Sequence, residues 1–227
     1  MMNTVEAAEI LRLSPEKAKK DFRSAKSKML LERNKRRVPR DGKLLAAWNG
    51  LTLTAYAKAA KHFKDKRYSQ AAEEVKDYIH NNLWIENKMV RAVKGKKILG
   101  EAGLEDYAYV AEGLSHWLDY SHNKKDQKWL ENIIGQAWNR FYKKQGWLLS
   151  ENSLLKYGEG QKVVSDGVLP SASSILISIS LNNIMNNMSL KKKIVHVLNI
   201  GHRELEEQPF WYASQINALY DYQKRYE

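Results

Sequence analysis

The sequence predicts an all-α fold: an incomplete (α/α) toroid of about four helical hairpins, with short β-hairpins between helices. Three observations lead there. All four prolines stand where a helix can begin. Helical segments that are nearly charge-free alternate with segments charged along one face. The nearly charge-free segments begin near Asp41, Asp106, Asp166 and Pro209, at intervals of roughly sixty residues or somewhat less, which is the mark of a repeated unit.

The elements follow in order from start signals and periodicity. Ser14-Pro15-Glu16 reads as an N-cap, a first helical position and an acidic first turn, opening a helix over Ser14 to Asn34. Pro39 precedes a helix over Gly42 to Phe63, and a further helix runs from Arg67 to Leu83. Strand character is confined to Trp84 to Val93, with Glu86-Asn87-Lys88 as its turn, and to Trp147 to Tyr157, with a turn at Glu151-Asn152. Between these lie helices at Leu104 to His122 and Lys125 to Lys143. After them come helices at Pro170 to Asn186, Leu190 to Glu206 and Pro209 to Arg225.

The segments starting near Gly42, Pro170 and Pro209 have nearly charge-free middles, so they must be buried on most sides. Those starting near Ser14, Arg67, Lys125 and Leu190 carry charge along one face and cover the first set from outside. The Leu104 helix joins the inner set, with Glu105, Asp106 and Glu112 as exceptions that call for a role. Toroidal closure gathers the acidic starts of the inner helices at one mouth, a concavity of the kind where ligands bind.

Composition narrows the function. At 227 residues with 43% hydrophobic content the chain can bury a sizeable core as a single partial toroid domain over 1–227. It has no cysteine, so disulfides, thiolate metal sites and cysteine nucleophiles are excluded. The N-terminal residues lack the apolar run of a signal peptide, and the expected location is cytoplasmic. The longest charge-free stretch, Gly167 to Leu190, is too interrupted by serine and asparagine to read as a membrane span. A net charge of +12 permits an anionic partner, but the basic segment Lys17 to Arg40 lacks the interleaved aromatics that stack on bases, which argues against nucleic acid. No metal-ligand spacing, phosphate-binding glycine loop or nucleophile elbow is present, so neither a metal nor a cofactor is expected. The six histidines read as surface or capping residues at helix ends or on outer segments.

Three motifs stand in order over some 140 residues: Arg33-x-x-Arg36 through Asp41-x-Lys43 to Trp48-Asn49-Gly50-Leu51, Leu104-Glu105-Asp106-Tyr107-Ala108-Tyr109 with Glu112-Gly113-Leu114, and Asp166-Gly167-x-x-Pro170-Ser171. In these the chain resembles the C-terminal part of the YyaL-type thioredoxin-domain proteins, the family that includes spermatogenesis-associated protein 20. The resemblance implies an (α/α) toroid similar to six-hairpin glycosidases and N-acylglucosamine 2-epimerases, with the preceding thioredoxin-like domain absent. Gly42 stands where the family commonly has an acid, and Ala172-Ser173 replace its usual Gly-Asn.

The candidate catalytic residues are Asp106 and Asp166, because glycoside hydrolysis employs two carboxylates. Asp41, Trp48, Asn49, Tyr107, Glu112 and Ser171 are candidates for binding a sugar or polyol. Each has a second reading that stays open: the aspartates as helix caps, the aromatics as core. Glu112 lies six positions after Asp106, so the two project roughly 120 degrees apart and need not act as a pair. The function expected is carbohydrate binding or carbohydrate chemistry, glycosidase-like or epimerase-like. The alternative is a non-catalytic scaffold that complements a missing half. The apolar Pro209 helix, with Phe210 and Trp211, is expected to be covered by the N-terminal segment, by a second copy or by a complementing chain.

Overall fold

The computed structural model describes residues 4–37, 39–152, 160–183 and 187–226. Two compact units divide the chain, Met1–Asp41 and Gly42–Glu227. The first holds α1 (Thr4–Ile10) and α2 (Pro15–Asn34). Ser14 caps α2 as expected, its Oγ accepting the Lys17 N–H at 3.3 Å. Along α2 only Ala18 is buried, and Phe22, Met29 and Leu31 are exposed.

The second unit contains β1 (Leu44–Leu45), α3 (Ala46–Phe63) and α4 (Lys66–Tyr78), the last continued by a π-helical turn over Ile79–Leu83. Next come β2 (Trp84–Ile85), β3 (Lys88–Lys94), β4 (Lys97–Glu101), α5 (Leu104–Ser121) and α6 (Lys124–Phe141). Then follow β5 (Tyr142–Lys143), β6 (Gly146–Trp147), α7 (Ala172–Asn183), α8 (Met188–Ile200) and α9 (His202–Glu207). A 3-10 turn over Pro209–Tyr212 leads into α10 (Ala213–Tyr226). β3 pairs antiparallel with β1, β2 and β4, with Val93 opposite Leu44 and Ile98. The expected hairpin at 84–93 is present, and β4 extends it. The region expected as a second hairpin starting at Trp147 instead forms its tight turn earlier, between β5 and β6, and 153–159 lie outside the described residues.

Helix α3 packs on α5, α5 on α7, and α7 on α10, while α4 covers α3 and α6 covers α5 and α7. The alternation of charge along the sequence therefore corresponds to an inner and an outer layer. The apolar faces meet in one core that includes Leu53, Leu104, Leu114, Leu130, Trp138, Phe141 and Leu176. The first two hairpins are copies in geometry: α3 and α5 both end on a left-handed residue, Lys64 and His122, followed by the side-chain caps Asp65 and Asn123. Helix starts (46 and 104) and left-handed ends (64 and 122) are 58 residues apart in both cases.

Two glycines from the sequence motifs set the closeness of α3 and α5. A Cβ on Gly50 would lie 2.5 Å from the Tyr109 carbonyl carbon, and one on Gly113 would lie 2.7 Å from the Gly50 oxygen. Only hydrogen fits at either place. The Leu190-to-Glu206 segment breaks at Gly201 into α8 and α9, and the Pro209 segment begins as a 3-10 turn rather than an α-helix.

Candidate functional site

The inner helices share one polarity, and two aspartates tie their N-termini together. Asp106 is the third residue of α5 and 5% exposed. One carboxylate oxygen accepts the Gly103 N–H at 2.9 Å, and the other accepts the Ala47 N–H at the start of α3 at 3.1 Å. Asp166 repeats the arrangement for the next pair. Its oxygens accept the Ser171 N–H at 2.7 Å, before α7, and the Ser214 N–H at 2.8 Å, at the start of α10. Helix starts present unpaired N–H groups and partial positive charge, and a shared carboxylate answers both. Burial pushes the Asp106 carboxyl up to about 6, against the opposing pull of its two backbone bonds. The Tyr109 hydroxyl donates to the Pro170 carbonyl at 2.8 Å and joins the α5 start to the α7 start.

Ser171 caps α7, its Oγ accepting the Ser174 N–H at 3.3 Å and contacting the Ser173 hydroxyl at 3.0 Å. Trp48, third in α3, is 64% exposed, while Asn49 is half-buried and donates to the Leu45 carbonyl at 2.7 Å. Tyr107 points to the outer side: its hydroxyl accepts the Met89 N–H of β3 and donates to Gln136 of α6. Asp41 is exposed, in the first unit.

A cavity of about 230 Å³ opens between α5, α7 and α10, lined by Glu112, Ser115, His116, Ser174, Ile175, Ser178, Ile179, Asn182, Ser214 and Asn217. It lies on the side of α5 opposite Val110, Leu114 and Trp117, which face the core. Glu112 is thus the one sequence-derived candidate that lines it. Asp166 and Ser171 stand immediately behind, holding the backbone of two lining serines, Ser214 and Ser174. The rim is fixed by further bonds: Ser174 Oγ to Gln215 at 2.8 Å, Asn183 to Ser115 Oγ at 3.1 Å, and Arg225 to Asn182 at 2.8 Å.

His116 corrects the reading of the histidines. It lies within inner helix α5, half-buried, one turn after Glu112. Its Nδ1 stands 3.9 Å from the Asp119 carboxylate, which is paired with Lys61 at 3.1 Å. Burial, with Lys58 as the next cause, pushes the imidazole down, and burial pushes the Glu112 carboxyl up, partly offset by Lys58. The sequence carried a signal for this stripe: Glu112, His116 and Asp119 recur at the spacing of one helix face. Among the described residues no group of three or more metal-ligating side chains could hold an ion, and no helix is long and apolar enough to cross a membrane.

Neither a protein-family profile nor a curated protein matches the chain. Solved structures do match in fold. Cellobiose 2-epimerase from Bacillus thermoamylovorans superimposes with a TM-score of 0.54 at 13% identity, over 72% of this chain and 45% of the epimerase. A D-mannose isomerase superimposes at 0.55 and 13% identity, over 72% of this chain and 42% of its own. A family 105 glycoside hydrolase of C. acetobutylicum gives 0.51 and 13%, over 87% of this chain and 60% of its own. The fold is that of the six-hairpin glycosidase-like toroids, and the chain spans less than half the length of the epimerase and isomerase.

Proposed function

We propose that this chain is a carbohydrate-binding or carbohydrate-active toroid domain, with the cavity between α5, α7 and α10 as its sugar site. The observation that carries the reading is the lining: six hydroxyl or amide side chains, Ser115, Ser174, Ser178, Asn182, Ser214 and Asn217, beside one carboxyl and one imidazole. Such a surface offers both donors and acceptors to a neutral polyol. The like-folded structures are a sugar epimerase, a sugar isomerase and a glycoside hydrolase, which supports the same class. In this reading Asp166 and Ser171 act through the serines they hold, Asp106 fixes α3 against α5, and exposed Trp48 and half-buried Asn49 offer stacking and hydrogen bonds from the α3 start. The motifs shared with YyaL-type proteins include this machinery, and we assign the chain to that family's toroid portion on that ground.

The test is saturation-transfer NMR with mono- and disaccharides on wild type and on Ser178→Leu, which fills the cavity from α7. Binding that falls at least ~10-fold in the variant supports the site. Absence of any sugar signal from the wild type overturns it. A second reading, a scaffold that docks a further chain, is favoured by the exposed pair Phe210 and Trp211, 85% and 54% accessible, just before α10.

A further inference from the structure

Among the described residues the cavity contains one carboxyl group, not two. Asp106 and Asp166, at the helix starts, have both oxygens engaged by backbone N–H groups, and Glu105 lines a separate pocket beside Pro170 and Ser171. A hydrolase of the usual kind employs a pair of carboxyl groups across the glycosidic bond, and the cavity does not supply that pair. It supplies a carboxyl and an imidazole one helical turn apart, with a second carboxylate, Asp119, behind the imidazole.

Resting on the sugar-site reading above, we infer that Glu112 and His116 form a proton-transfer pair acting on the carbon next to the carbonyl of an open-chain sugar. His116 takes the C2 proton. The C2–H electron pair becomes the C1–C2 double bond, the carbonyl pair moves onto O1, and O1 takes the proton of the Glu112 carboxyl. The product is a neutral enediol between an imidazolium and a carboxylate. Return of a proton to the opposite face of C2, with the O1 proton going back to Glu112, gives the epimer, whereas return to the same face regenerates the starting aldose with its C2 hydrogen exchanged. If the proton goes to C1 while the O2 proton returns to Glu112, the ketose forms; no oxidant or water is consumed. Asp119 is a positioning residue, since its oxygen lies on the Nδ1 side of the ring and leaves Nε2 for the substrate.

The surroundings favour the required protonation states. Burial holds Glu112 toward its protonated form and His116 toward its neutral form, the states of the donor and the base respectively. The charged groups facing the pair are Lys58 and Lys61 of α3 and Asp119 of α5, and the lining from α7 and α10 is uncharged.

The full chain is incubated in deuterated buffer with D-mannose, D-glucose, D-fructose and cellobiose as probes, and deuterium entry at C2 of the aldoses or C1 of the ketose is read by NMR. Wild type should exchange at least one probe, and both His116→Asn and Glu112→Gln should lose ~100-fold or more of that rate while saturation-transfer binding persists. Asp119→Asn should move the alkaline-active limb of the pH profile to lower pH, a displacement that a merely structural role would not produce. Binding without exchange, or release of 4-nitrophenol from aryl glycosides in its place, overturns this inference and leaves the sugar site standing. No binding at all overturns both. Circular dichroism of each variant identifies loss of fold, and either single variant that stays folded decides the matter.

Discussion

At the scale of single residues, Asp106 and Asp166 are joints between helices. Asp106→Ala would strand the Gly103 and Ala47 N–H groups in the interior, at a cost of ~1–3 kcal/mol for each, measurable by urea denaturation. The cost should depend on pH. Because the folded carboxyl titrates near 6 against an ordinary 3.8, the native state binds the extra proton between those values. The Asp106 contribution to stability is therefore fully present below pH 4 and is lost as pH rises through 6, whereas the alanine variant lacks this contribution. The gap corresponds to ~3 kcal/mol, so the penalty of substitution should shrink by about that much from pH 4 to pH 7. A penalty that grew with pH would show that the two backbone bonds outweigh burial. Gly113→Ala is the matching test of packing: the added methyl meets the Gly50 carbonyl and Leu53, and ~1–3 kcal/mol should be lost.

At the scale of elements, the two copied hairpins make a paired prediction. Lys64 and His122 hold left-handed backbone at the ends of α3 and α5, with φ of 54° and 52°. Lys64→Gly and His122→Gly should each stabilise the chain by ~1 kcal/mol, and Gly135→Ala in mid-α6, where a methyl meets nothing within 4 Å, by a similar amount. Thermal melts would show all three. The helices were legible in the sequence because charge alternation records which face meets water, and Pro15 and Ser14 mark a start unambiguously. What the sequence did not disclose were interruptions decided by tertiary contact: the π-helical turn at Ile79–Leu83, the break at Gly201 and the strand β4. Of the site, Glu112 was legible through its intrusion on an inner helix. His116 is not legible as a site residue in the sequence, because its spacing to Glu112 has meaning only once α7 and α10 close the cavity around it.

At the scale of the whole molecule, the inner layer of the second unit presents apolar surface at its α10 edge, where Phe210, Trp211, Ile216 and Tyr220 are exposed. Phe210→Ser with Trp211→Ser should leave helicity intact and lower any self-association seen by sedimentation at micromolar concentration. An unchanged sedimentation coefficient with wild type already monomeric would exclude a second copy as the cover. The tie between Asp106 and Ala47 has another consequence, one of timing. Its partners are 59 residues apart in the chain. At ~5–20 residues per second, a ribosome takes ~3–12 s to add the carboxylate after the amide it will hold. For that interval α3 emerges as an apolar helix whose neighbour does not yet exist, a natural client for a holding chaperone. Synonymous codons that slow elongation between Lys64 and Glu105 should lower soluble yield, and faster ones should raise it.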